Sequence, residues 1–227
     1  MIEIKLAAEN AIIIYFGQHS SDALLDEIAF YSGLLKQELG DLIVDAVPSY
    51  TSLLLSYRLG KISHQAFSTR VEEIITSNAW IINLARTDVI DIPVLYDTEV
   101  GLDLAFCLDA KALDLNTFIQ LHSQREYRVH AVGFSPVFAF LGAVDSRLMM
   151  PRLATPRVNT PAGSVGIADN QTAVYPVDSA GGWQIIGRTP LDLSLANPDN
   201  LTLFQVGDTV RFRSIQHAEY LALGGQL

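Results

Sequence analysis

The stretch TPAGSVGIADNQTAVYPVDSAGGWQIIGRTP, Thr160 to Pro190, constrains this chain most. Gly163, Gly166, Gly181, Gly182 and Gly187 punctuate it, and the apolar segments between them are too short for helices yet rich in Val, Ile, Tyr and Trp. Short segments of that composition bounded by turn residues are strands. The region therefore reads as compact β structure whose turns display polar groups. The beginning of the chain has another texture: only Pro48 of nine prolines and four of fifteen glycines precede residue 91. At 227 residues the chain exceeds the usual single domain of roughly 100 to 150 residues, so two domains are expected, 1–88 and 89–227, with the boundary near Thr87 to Asp91.

In the first part, Ile2 to Leu6 and Ala11 to Phe16 read as a strand pair around Ala8-Glu9-Asn10. A helix beginning at Ser20 or Ser21 follows, with Leu24, Leu25, Ile28, Leu35 and Leu39 on one face and Gly40 just past its end, the residue that most often closes a helix. Leu42 to Val47 and Ser52 to Arg58 read as a second strand pair, turning at Pro48-Ser49-Tyr50. A second helix starts at Ser63, where Ile62 packs on Phe67 as a hydrophobic staple and Val71, Ile74 and Ile75 extend the stripe. The order ββαββα implies an α+β, sandwich-like domain with two helices on one face of an antiparallel sheet. His19 and His64 lack a second metal ligand at suitable spacing; they read as loop and helix-start residues, and this domain as structural or partner-binding.

Composition excludes some functions. A formal charge of -10 opposes nucleic-acid binding, which needs clustered Lys and Arg. The longest apolar stretch, Ala131 to Val144, is interrupted by Ser135 and Pro136 and falls short of the roughly 20 residues of a membrane span. The start, MIEIKLAAEN, has no signal-peptide pattern and the single Cys107 has no internal disulfide partner, so the cytoplasm is the expected compartment. A mean hydropathy of +0.26 implies generous cores together with apolar surface covered by another chain, and Phe138, Phe140 and Leu141 are expected to be exposed and to form that surface.

Candidate chemistry falls in the second part. Glu99 and Asp103 in TEVGLDL form either an acid/base pair or a helix-end charge and an N-cap. His122, at a helix end close to Arg125 and Glu126, is either a proton shuttle near neutral pH or a cation at a helix C-terminus. Arg147, Arg152, Arg157 and Arg188 are conspicuous in an acidic chain. Surface ion pairs are one explanation; a pocket in which Arg157 and Arg188 grip an anionic group is the other. Gly163, Ser164, Gln171, Thr172, Tyr175 and Gln184 present neutral hydrogen-bonding groups suited to an amide, lactam or urea-like ligand. No nucleophile elbow, P-loop, dinucleotide fingerprint or metal-ligand cluster occurs in the sequence, so this chain alone is expected to bind neither ATP nor a metal.

PAGSVGI, QT, YP, GGWQ and IGRTP, preceded by LHSQREYRVHAVGFSP and followed by GDTVRF, occur in the order in which the KipI-like family carries them, and the chain resembles that family. Its members include the B subunit of ATP-dependent 5-oxoprolinase, the KipI inhibitor of a sporulation histidine kinase, and subunit 1 of allophanate hydrolase and urea carboxylase systems. The resemblance implies a cyclophilin-like β-barrel for the second domain. It further implies partnership with a homologous C subunit and a LamB/YcsF-like A subunit, ATP being used by the assembled complex in opening 5-oxoproline to glutamate. A histidine kinase as partner, or a place in a urea system, is the alternative. Where the family carries EFGPDL this chain has EVGLDL, and where it carries GFxPGFPYLG this chain has GFSPVFAFLG. Val137, Ala139 and Phe140 thus replace a Gly, a Pro and a Tyr, so this turn must form without the expected glycine.

Overall fold

The computed structural model describes residues 2–81 and 89–227. The chain divides into two compact units, Met1–Arg86 and Thr87–Leu227. The expected boundary at Thr87 to Asp91 begins outside the described residues.

In the first unit β1 (Glu3–Ala8), β2 (Ala11–Tyr15), α1 (Asp22–Leu39), β3 (Ile43–Ser49), β4 (Ser52–Tyr57) and α2 (His64–Ser77) follow one another. Strand pairing is antiparallel in the order β1-β2-β4-β3. Both helices start where a serine side chain accepts an orphan backbone N–H: Ser21 from Leu24 at 3.2 Å and Ser63 from Ala66 at 3.3 Å. Alternation along β2 and β4 buries Ile12, Ile14, Leu53, Leu55 and Tyr57 against Ile28, Leu35, Phe67, Val71 and Ile75 of the helices. Each such side chain contributes roughly 2 kcal/mol through removal from water. The second hairpin departs from expectation. Pro48 pairs with Leu53 and Ser49 with Ser52, so both belong to β3 and the turn is Tyr50-Thr51.

The second unit contains β5 (Val89–Val94), α3 (Leu104–Lys111), α4 (Leu115–Ser123), β6 (Glu126–Val132), β7 (Ala139–Gly142), β8 (Arg157–Thr160), β9 (Ser164–Ala168), β10 (Gln171–Val174), β11 (Ser179–Gly181), β12 (Gln184–Arg188), β13 (Thr209–Ser214) and α5 (His217–Ala222). Antiparallel pairing runs β6-β7-β10-β9-β12. A bridge from Arg188 to Leu95 leads from β12 to the residue after β5. β5 pairs in parallel with β13, and β13 pairs antiparallel with β6, so the sequence of pairings returns to its start. The pairing is mostly antiparallel in a mixed α/β chain.

The strands of this unit have two buried faces. Val129, Leu141, Val165, Ile167, Ile186 and Phe212 belong to the main core; Phe138, Ala168, Ala173, Tyr175, Trp183 and Ile185 form a second, aromatic cluster. Gly166 illustrates the division. Its neighbours Val165 and Ile167 fill the main core, while a Cβ on Gly166 would stand 3.1 Å from the Cβ of Trp183 and 3.2 Å from Ile185 Cδ1. The glycine lets Trp183 and the β12 residue Ile185 lie close. Phe138 and Leu141, expected at the surface, are 2% and 1% exposed, and Phe140 is half-buried, because the turn before β7 folds this apolar run into both clusters. No helix among the described residues is long and apolar enough to cross a membrane.

Two glycines, Gly33 inside α1 and Gly40 at its C-cap, separate backbone from packing effects. Gly40 caps the helix at φ 45° and ψ -118°, a mirror-image conformation that costs side-chain-bearing residues about 1–2 kcal/mol, and nothing lies within 4 Å of its Cβ position. Gly33 is in the helix interior, equally open. Gly40→Ala should therefore destabilise by about 1–2 kcal/mol and Gly33→Ala stabilise by about 0.5–1 kcal/mol. Urea-unfolding midpoints moving in opposite directions are the expected outcome; a shared direction contradicts the assignment.

Candidate functional site

Asp103 sits at the entrance to α3, where a capping carboxylate was the expectation. Its side chain makes no cap hydrogen bond. The reason is a stronger pair of donors elsewhere: Asp103 accepts from the Ile185 backbone N–H at 2.6 Å and from the guanidinium of Arg157, while its own N–H donates to Ile185 O at 2.8 Å. Arg157 also donates to the carbonyl of Trp183 at 3.3 Å. The carboxylate is 8% exposed, and charge-assisted bonds of this kind, shielded from water, outweigh a solvated cap. Arg157, expected in an anion pocket with Arg188, thus spends its charge on Asp103 and holds β12 in place. Glu99 is exposed and pairs with His217 at 3.1 Å, whereas Asp103 is held by Arg157 and Ile185.

His122 is the clearest departure from expectation. It is fully buried, with Nδ1 hydrogen-bonded to the Tyr96 hydroxyl at 2.7 Å and Nε2 to Thr172 Oγ1 at 2.9 Å. Thr172 in turn donates to Gly166 O at 3.0 Å. Burial pushes the imidazole down to about 3, so the ring is neutral at physiological pH and serves neither as a proton shuttle nor as a helix-end cation. Burial, with Asp103 nearby, likewise pushes the Cys107 thiol up to about 12, which leaves it unreactive.

The neutral hydrogen-bonding residues separate by register. Thr172 and Gln184 both pair across from Ile167, one on each side, and therefore share the main-core face. Gln184 Nε2 donates to Pro151 O at 2.9 Å. Gln171 opposes Ala168 and Gly142. Ser164 is buried, its hydroxyl without a hydrogen-bond partner among the described residues. Gly163 and Arg188 do come together, at an open cavity of about 260 Å³ that Asp192, Tyr220 and Gln226 also line. There Arg188 donates to Ala162 O at 2.8 Å and to Gln226 O at 3.2 Å.

Tyr175 lies at a different cavity, of about 130 Å³, walled by Phe134, Phe138, Phe140, Tyr175 and Trp183, with Arg152 at its rim and Gly181-Gly182 along one side. Phe138 meets Tyr175 and Trp183 edge-to-face, with centroids 5.3 Å and 5.7 Å apart, the favoured geometry for aromatic pairs. Position 181 must be glycine, since a Cβ there would collide with the Tyr175 hydroxyl oxygen. The turn leading to β7 keeps the backbone of the missing family glycine: Val137 itself takes φ 67°, and its buried side chain packs in the main core, which offsets the strain of a β-branched residue there. Of the arginines noted in the sequence, Arg147 is tied to Asp145 at 2.8 Å. Arg152 is held more loosely, 4.0 Å from Asp169 and over the Trp183 ring at 5.9 Å. Trp183, Phe134 and the placement of Arg152 do not stand out in the sequence; the Trp within GGWQ, next to two glycines, is the available signal. Among the described residues no group of three or more His, Cys, Asp or Glu is arranged to hold a metal.

The buried histidine makes stability depend on pH. Its folded-state value lies below the ordinary value of about 6.5, so the unfolded chain binds the proton more readily. Stability is full above about pH 6.5 and is lost as pH falls from there toward 3, approaching a tenfold weaker folding constant per pH unit. Unfolding profiles of wild type and His122→Gln, which cannot take up the proton, should diverge over pH 6.5 to 4. Parallel profiles would rule out this role.

The carboxyltransferase domain, subdomain C and D, matches residues 2–204. The 5-oxoprolinase B subunit of Bacillus subtilis (strain 168) is 32% identical over 230 residues, 97% of this chain and 95% of that one. The corresponding 5-oxoprolinase chain of Haemophilus influenzae is 46% identical over 123 residues, which cover 54% of this chain and 58% of the relative. Among solved structures, TTHA0988 superimposes with a TM-score of 0.80 at 29% identity; the match covers 95% of this chain and 41% of TTHA0988. A match over most of the chain, with motifs in family order, establishes that the chain belongs to the carboxyltransferase-domain family and, within it, to its KipI-like members.

Proposed function

We propose that this chain is a non-autonomous subunit of an ATP-dependent 5-oxoprolinase, which converts 5-oxo-L-proline, ATP and water to L-glutamate, ADP and phosphate. The observation that carries the reading is the nearly end-to-end similarity to the 5-oxoprolinase B subunit of Bacillus subtilis. Chemistry is consistent with it. An unstrained lactam opens only when its carbonyl is activated, and phosphoryl transfer from ATP supplies that activation. In this proposal ATP is bound by the partners, a homologous C subunit and a LamB/YcsF-like A subunit, and the complex works in the cytoplasm. The domain assignment that goes with it is an α+β domain of 1–88 and a cyclophilin-like barrel of 89–227; the pairing of strands that returns from β12 through Leu95, β5 and β13 to β6 supports the barrel.

The test is reconstitution. The chain alone should show no ATP hydrolysis dependent on 5-oxo-L-proline, and the three-subunit mixture should show it. Turnover by the chain alone contradicts the non-autonomous role. An inactive but assembled mixture contradicts the 5-oxoprolinase reading and turns attention to inhibition of a histidine kinase or to a urea system.

A further inference from the structure

We propose that the aromatic pocket of the second unit receives the ring of 5-oxo-L-proline, with Arg152 binding its carboxylate; the identity of the ligand rests on the 5-oxoprolinase reading. Size comes first. About 130 Å³ is well below the roughly 300 Å³ at which pockets for larger ligands begin, so the cavity suits one small ring and not a nucleotide. Its walls are rigid, since Phe138 is locked edge-to-face between Tyr175, Trp183 and Phe140. They offer apolar ring surface to ring methylenes, and Gly181-Gly182 run along one side.

Charge selects among the arginines. Arg157 is committed to Asp103, and Arg188 donates to two carbonyl oxygens beside a cavity that Asp192 also lines. Among the described residues the ion-pair partner of Arg152 is Asp169 at 4.0 Å, the two side chains being 59% and 69% exposed. An ion pair that long and that solvated contributes little, and its guanidinium can exchange Asp169 for a two-bonded grip on a ligand carboxylate. Its position over the Trp183 ring puts that charge at the rim of the same pocket. A ring with apolar methylenes and one carboxylate matches both halves of the site.

Steady-state kinetics of the reconstituted complex test this. Arg152→Gln should raise KM for 5-oxo-L-proline at least tenfold with kcat within about threefold of wild type, Arg152→Lys should fall between them, and Arg147→Gln should leave KM unchanged. The neutral ring 2-pyrrolidinone, lacking the carboxylate, should inhibit wild type and Arg152→Gln equally. A KM for Arg152→Gln within twofold of wild type overturns the pocket assignment and leaves the 5-oxoprolinase reading standing. So does an inhibition constant for 2-pyrrolidinone that shifts as much as KM. A wild-type complex with no activity toward 5-oxo-L-proline removes the reading itself, and with it the ligand named here.

Discussion

The second unit depends on one buried carboxylate. Asp103 exchanges backbone and side-chain hydrogen bonds with Ile185 and neutralises Arg157, so the start of α3, strand β8 and strand β12 meet at a single charged group. Breaking such a pair by removing one partner is costly, because the other charge is left without water or partner. Since Arg157 also reaches the carbonyl of Trp183, the same clamp fixes the residue that forms a wall of the aromatic pocket. Arg157 thus reaches the pocket wall through the Trp183 carbonyl.

That clamp works because the strands of this unit separate polar roles by face. On the main-core side Tyr96, His122 and Thr172 form a closed chain of hydrogen bonds that ends on Gly166 O. Every member is buried and hydrogen-bonded within the chain, which favours a unique packing. On the other side the aromatic cluster reaches the surface, with Phe134 67% exposed and Arg152 at the rim. The proposed ligand site lies on this second face, where the ion pair of Arg152 is long and solvated.

Local signals in the sequence translated directly into structure. Ser21, Ser63 and Gly40 end helices through bonds or backbone angles set within a few residues, and the periodic stripes of Ile28, Leu35, Phe67 and Val71 are core as read. The candidate site was legible only in part. Thr172 and Gln184 looked like ligand-facing groups, yet register with Ile167 turns both inward, and register is set by strands far apart in sequence. His122 lies near Glu126 along the chain, but its ring partners are Tyr96 and Thr172. The Asp103–Arg157 tie spans 54 positions, a distance over which sequence spacing carries no information. Arg152 was visible as one of four arginines; what distinguishes it is the looseness of its partner, a property of the folded state.

The most direct test is the structure of the assembled complex with 5-oxo-L-proline bound. The ring is expected in the cavity lined by Phe134, Phe140 and Trp183, with its carboxylate on Arg152 and Asp169 displaced. Ligand bound instead beside Arg188 and Gly163, or wholly on another subunit with this pocket empty, would contradict the assignment.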